Sequence, residues 1–244
     1  MSGIPFEHQC VTLRKLGRGN KKPRFELTTV PTLLQPGTVL IKVMYLSLAS
    51  VNLQQRPAMK NVAANVTSDA APSAAWPLLT RVGESVKGLG VGVVVAVSAT
   101  ATGSGALSDE VGVGSVVGGD LGWNEFVTRP VDELVAAPED MPLAAMLATM
   151  EAAHNSIGAC VTSGLLPLTA TDRTACTRAL ESLIGAWVGS GRLSFDDARH
   201  ARQLATAPLE AMPRLYGELA ATTPRRVAWV KIAQGPATPL RAKL

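Results

Sequence analysis

Along residues 1–140 apolar side chains recur at every second position or run together in short blocks, and from about residue 142 they recur at every third or fourth. The first spacing is that of strands, the second that of amphipathic helices. Residues 25–30 alternate, and residues 37–46 (GTVLIKVMYL) follow a Pro36-Gly37 turn with Val39, Ile41, Val43 and Tyr45 on one predicted face. Residues 91–97 (VGVVVAV) form a nearly unbroken β-branched run, as expected of a strand buried on both sides. Val116-Val117 and residues 125–128 supply shorter strands between Gly and Asp turns, while residues 51–77 and 98–109 read as long loops. Short strands broken this often by Gly and Pro predict a small barrel or sandwich.

The pattern changes near Pro138. In residues 142–166, Leu143, Met146, Leu147 and Met150 share one helical face. Asp172 is placed to cap a second helix, with Leu180, Leu183, Ile184 and Trp187 on its apolar stripe, Cys176 one turn earlier, and a stop at Gly189-Ser190-Gly191. A third helix is predicted from Pro208 to about Ala220 and a last strand over 226–232 (RVAWVKI). The tail 234–244 carries no element pattern and reads as mobile. No internal repeat is present.

Composition narrows the classes. The 244 residues are 47% hydrophobic and 17% charged, the balance of a folded chain, and with 4% aromatics the core must come from Val, Leu, Ala and Ile. The net charge is +4, but the basic residues (Arg14, Lys15, Arg18, Lys21, Lys22, Arg24) are scattered without an aromatic platform, which argues against nucleic acid. Cys10, Cys160 and Cys176 lack CxxC spacing and read as reduced thiols rather than disulfides or zinc ligands. The opening MSGIPFEHQC has no apolar run, and residues 141–150 are too short to cross a bilayer. A cytoplasmic chain without membrane or metal partners is expected.

Residues 112–126 (GVGSVVGGDLGWNEF) pose a specific question. Gly112, Gly114 and Gly118 approach the spacing of a dinucleotide loop, which needs a helix to open after its last glycine so that pyrophosphate can sit on the exposed N–H groups. Gly118-Gly119-Asp120 is instead followed by LGWNEFVTRP, a strand ending in proline, and Gly88-Leu89-Gly90-Val91-Gly92 also runs into a strand. Both segments therefore read as tight turns and bulges, with no phosphate role.

Taken together, LIKVMYLSLASV, GLGVGVVVAV, GGDLGWNEFV and PLAAMLATM resemble the catalytic, GroES-like half of the medium-chain dehydrogenase/reductases, in the zinc-independent prostaglandin, alkenal and enoyl reductase branch. Tyr45-Leu46-Ser47, Gly90-Val91-Gly92 and Leu121-Gly122-Trp123-Asn124-Glu125-Phe126 match its motifs, except that Phe126 stands where the family commonly has tyrosine. LIGAWVGSGRLSF, APLEAMPRLYGEL and RRVAWVKIA resemble the family's closing segment. In that family a Rossmann domain lies between these halves, yet here Leu165-Leu166 is followed by PLTATDRTACTRAL and then the closing helix. The resemblance therefore implies an internal deletion of the NADPH-binding domain.

The implied fold is α+β: a single domain over 1–244, with a GroES-like barrel (10–140), helices (142–222), a returning strand (226–232) and no Rossmann domain. No cofactor is expected. Departures from the family gather where it meets its nicotinamide: residues 48–53 (LASVNL) lose an acid, a proline and an arginine, and residues 151–158 (EAAHNSIG) replace a helix-breaking turn. Glu151 and His154 then share a helix face as a candidate acid–base pair, or simply face water where a domain has gone. Tyr45 joins them as a candidate catalytic group. Ser47, Asn52, Trp123, Asn124, Met150 and Asn155 are the implied substrate-binding residues. His8 and His200 read as surface residues, and Tyr216, Trp187 and Cys176 as core.

Two functional classes follow. One is a cofactor-independent cyclase or isomerase, a [4+2] cycloaddition included, acting on an apolar, polyketide-like intermediate. Its pocket would hold a polyene folded and hydrogen-bond a carbonyl. The Ala-, Gly- and Arg-rich composition fits a high-GC bacterial genome with biosynthetic clusters, which is analogy of context. The other is a non-catalytic binding or scaffold protein, or a reductase subunit whose nucleotide domain comes from another chain. Homodimerisation through the surface left by the missing domain is expected on the same ground.

Overall fold

The computed structural model describes residues 4–17, 22–53, 79–98, 111–138, 141–162, 173–191, 204–221 and 229–233. The expected Asp172 cap, His200, most of the two predicted loops, residues 226–228 and the tail 234–244 lie outside them. The strands are β1 (Glu7–Lys15), β2 (Arg24–Pro31), β3 (Thr38–Ser47), β4 (Asn52–Leu53), β5 (Leu79–Thr80), β6 (Leu89–Val97), β7 (Val116–Asp120), β8 (Phe126–Pro130), β9 (Val135–Ala136), β10 (Leu204–Ala207) and β11 (Trp229–Ile232). The helices are α1 (Leu143–Thr162), α2 (Arg173–Gly189) and α3 (Met212–Ala221), the last entered through a 3-10 turn at Leu209–Ala211.

The predicted closed barrel of GroES type is not what these strands make. The main sheet runs β10-β11-β3-β6-β7-β9, with β8 paired to β3, while β1-β2 and β4-β5 form separate two-stranded sheets. A barrel needs one ladder that returns to its first strand. Among the described residues the β1–β2 hairpin joins the rest through isolated bridges, Cys10 to Asn124 and Thr12 to Ser85, and scattered backbone bonds beside them, not through a continuous ladder. At the other end the parallel pair β10–β11 extends the sheet along β3 instead of closing it. The result is a set of open, mixed sheets with three helices.

β3 organises this arrangement. One edge pairs with β6 along its length, and the other pairs with β8 over Thr38–Lys42 and then with β11 over Tyr45–Ser47. The register against β6 slips between Val43 and Tyr45, leaving Met44 as an extra residue. A bulge of this kind shifts the alternation of faces by one. Val39, Ile41 and Val43 accordingly point into the core beneath the hairpin, and Leu46 and Leu48 join them there. Tyr45, predicted on the Val43 face, packs instead with the core under α1.

Two apolar cores result. The first lies between the β1–β2 hairpin and the sheet, where Trp123 is enclosed by Phe25 and Tyr216 at ring separations of 5.2 and 5.8 Å. The second lies on the opposite face, where Met146, Met150, Ala153 and Ile157 of α1 cover Leu89, Val91 and Trp229, with Cys176, Leu180 and Ile184 of α2 alongside. Each such fully buried side chain contributes about 1.5–3 kcal/mol.

Of the glycines singled out in the sequence, Gly112 and Gly114 do form a turn, Gly114 at φ 96°, whereas Gly90, Gly92, Gly118 and Gly119 are strand positions. Gly118 sits in mid-β7, and a Cβ there would come within 3.2 Å of Met146 and Met150, so its bareness lets α1 lie close on the sheet. Gly92 is tighter: a Cβ would fall 2.4 Å from the Lys42 carbonyl oxygen, which is backbone and cannot turn aside.

Gly92→Ala is expected to lower stability by about 1–3 kcal/mol through forced separation of β3 and β6. Gly185→Ala on α2, where a Cβ meets nothing within 4 Å, should raise it by up to about 1 kcal/mol. Urea unfolding of the two variants beside the parent chain checks both signs.

Candidate functional site

On the α1 side of the sheet, β3 and β11 set Ser47 opposite Trp229 and Tyr45 opposite Lys231. The first pair is buried; in the second, Tyr45 is half-buried and Lys231 exposed. α1 lowers Glu151 onto the buried pair. Its Oε2 accepts a hydrogen bond from the Trp229 indole Nε1 at 2.7 Å, and its Oε1 accepts one from the Ser47 hydroxyl at 3.3 Å. Three elements distant in sequence thus converge on one carboxyl group.

The polar contacts continue beyond Ser47. Its Oγ also accepts from the Ser50 N–H at 3.3 Å, and the Ser50 hydroxyl donates to the Ser47 carbonyl at 2.9 Å while accepting the Leu89 N–H at 2.8 Å. Next in line, Asp120 Oδ1 accepts the Gly88 N–H at 3.0 Å. A buried polar strip therefore runs from Trp229 to Asp120 across an otherwise apolar face. Buried polar groups persist where hydrogen bonds replace water, as most do here.

Burial governs the ionisation of both candidate acid–base groups. Loss of water around Glu151 pushes its carboxyl above the ordinary range, and the bonds from Trp229 and Ser47 offset this only in part. His154, one turn along α1 and 5% exposed, is pushed down to about 4, also by desolvation. At neutral pH its imidazole is uncharged.

The sequence candidates separate into those this site gathers and those it does not. Glu151 and Ser47 are bonded on the α1 side, where Tyr45 packs with the same core and His154 is buried one turn along α1. Met150 shares that side as a buried contact of Gly118. Trp123 lies in the other core, and Asn124 is a corner residue whose amide donates to the Leu121 carbonyl at 2.7 Å and accepts the Ser85 hydroxyl at 2.9 Å. Asn155 is exposed, and the Asn52 side chain lies outside the described part of the chain. His8, read as surface, is half-buried and bonded to the Thr32 hydroxyl at 2.9 Å. Trp229 was missed. A buried tryptophan needs an acceptor for its N–H, and that requirement was the one available signal.

No protein-family description and no curated protein matches the sequence. Solved structures do. CurA from Vibrio vulnificus aligns over 94% of this chain and all of its own, at 12% identity and a TM-score of 0.45. TarJ from S. aureus aligns over 93% of this chain and 98% of its own, at 11% identity and a TM-score of 0.49. The acetophenone reductase from Geotrichum candidum, solved with NAD, aligns over 94% of this chain and 98% of its own, at 10% identity and a TM-score of 0.49. The chain's structural neighbours include NAD(P)-binding oxidoreductases.

The buried histidine has a measurable consequence. Unfolding returns His154 to its ordinary value near 6.5, so between about pH 6.5 and 4 the unfolded chain binds a proton that the folded chain does not. Stability should fall across that window by on the order of 3 kcal/mol. Glu151 acts with the opposite sign, since its raised value favours the folded state toward acid and that contribution is lost as pH rises through it. Urea midpoints measured from pH 7 to 4 should drop in the parent chain. The same limb should be visibly flatter in His154→Gln, with residual slope from the partly buried His8.

Proposed function

We propose that this chain is a cofactor-independent isomerase or cyclase of a largely apolar carbonyl compound, working in a cleft inherited from a reductase whose nucleotide-binding domain has been lost. The observation that carries the reading is Glu151: a buried carboxyl with a raised pKa, one helical turn from a neutral imidazole and hydrogen-bonded to Ser47 and Trp229. A carboxyl whose pKa is raised is better matched to proton exchange near neutral pH, whereas the His154 imidazole, lowered to about 4, stays uncharged there and serves as a hydrogen-bonding group. In the proposed isomerisation, the Glu151 carboxylate takes a proton from carbon γ to an enone carbonyl, and the same proton returns to carbon α. His154 or Tyr45 hydrogen-bonds the carbonyl oxygen while it carries the charge. No electrons leave or enter the substrate. A polyketide-like intermediate, and cyclisation of a folded polyene, fall within the same proposal.

The loss of a nucleotide domain is supported by the chain between the helices. Only residues 163–172 separate α1 from α2, where the resemblance would place a doubly wound domain of about 100–150 residues. A second reading, a non-catalytic binding protein, draws on the same carboxyl: both Glu151 oxygens already have partners within the fold.

Incubation with a conjugated apolar enone in D2O separates the two. The enzyme reading expects deuterium at the α or γ carbon, slowed about 10²–10⁴-fold in Glu151→Gln with ligand affinity retained. Binding by calorimetry without any exchange favours the binding protein. Micromolar NADPH binding would overturn the loss of the nucleotide site.

A further inference from the structure

Glu151 meets two different kinds of partner. The Trp229 indole N–H can only donate, whereas the Ser47 hydroxyl can donate or accept. When the carboxyl is ionised, both partners donate to it, as the geometry has them. When it is protonated, one oxygen becomes a carbonyl, a good acceptor, and the other a hydroxyl, a good donor and a poor acceptor. The short 2.7 Å bond from an obligatory donor requires the carbonyl oxygen on Oε2. The proton must then sit on Oε1, whose neighbour Ser47 Oγ accepts it by turning its own hydrogen elsewhere.

We infer that Trp229 is a positioning residue that fixes the Glu151 proton on Oε1, facing Ser47, so that protonation reverses the Ser47–Glu151 hydrogen bond while the Trp229 bond stays in place. This deepens the reading of Glu151 as the proton-exchanging group and rests on it. It gives β11 a part in the site that the acid–base pair alone does not: the strand supplies the fixed donor, and β3 supplies the reversible partner. The Ser50 N–H donates to Ser47 Oγ at 3.3 Å and holds that oxygen in place whichever way its hydrogen points.

Other titratable or charged groups stand on most of the elements around Glu151. They are His154 and Cys160 on α1 itself, Lys42 and Tyr45 on β3, Lys231 on β11, Asp120 on β7, and Cys176, Arg178 and Glu181 on α2. β6 contributes none. The hydrogen bonds on Glu151 come from Trp229 and Ser47, so its two oxygens can be addressed by changing those residues one at a time.

The test is infrared difference titration of the whole chain without substrate, with Glu151→Gln identifying the Glu151 carboxyl band. In Trp229→Phe the protonated carboxyl loses the donor on its C=O, so its stretch should move to higher wavenumber. Its titration midpoint should also rise, because the ionised form loses a donor. In Ser47→Ala the midpoint should rise as well, but the C=O stretch should stay where it is in the parent. The opposite pattern, with the stretch moving in Ser47→Ala and not in Trp229→Phe, would put the proton on Oε2 and overturn the assignment. So would a Trp229→Phe chain that loses stability with band and midpoint unchanged. Where Trp229→Phe does not fold, the Trp229 indole N–H resonance of the parent chain serves: it should follow the Glu151 titration and remain hydrogen-bonded at both ends. Because no substrate is present, this outcome is independent of whether the enone exchange experiment succeeds.

Discussion

β3 is hydrogen-bonded along both edges, and almost every other element takes its place from that strand. β6 occupies one side; β8 and then β11 share the other. The extra residue at Met44 turns the strand over partway along, so its first half faces the hairpin core and its end sends Tyr45 and Ser47 toward α1. Without that slip, alternation would carry Ser47 into the hairpin core, away from Glu151. One inserted residue therefore decides whether a hydroxyl and a carboxyl 104 positions apart in the chain can meet.

Period and punctuation made much of the element order readable. The β-branched block at 91–97 is a central strand paired on both sides, α1 starts within a residue of its expected position, and α2 ends at Gly189 as expected. Closure of the sheet was not readable, because strand content sets which segments pair but not whether the ladder returns on itself. β10 was missed because four residues, LATA, carry too little pattern to separate from loop. Tyr45 was assigned to the wrong face for a related reason. A bulge is a property of two strands together, and nothing in YLS alone reveals it. Glu151 and His154 were legible as a pair through their helical spacing. That both would be buried depended on β11 and α2, which lie far along the chain.

A buried carboxyl in a face lined by Leu, Val and Met is costly unless its oxygens are met. Here they are, by two donors of different character, so Glu151 is held firmly without being forced into one charge state. Desolvation pushes it toward the neutral form while Trp229 and Ser47 support the ionised one. Desolvation is the larger influence, and the two donors oppose it, so changing either donor should move the point at which Glu151 changes charge. His154, with burial acting alone, has no such balance and stays neutral.

The pairing of Ser47 with Trp229 also dictates an order of events during synthesis. Those residues are partners across the sheet although they stand at positions 47 and 229 of the chain, and a contact of such long range forms late and raises the barrier to folding. β1 to β9 and α1 can emerge from the ribosome and begin to pack before β11 exists. Until residue 229 arrives, Glu151 has only one of its two donors. The site thus assembles only after β11 has emerged, and its formation reports that this strand has been added correctly.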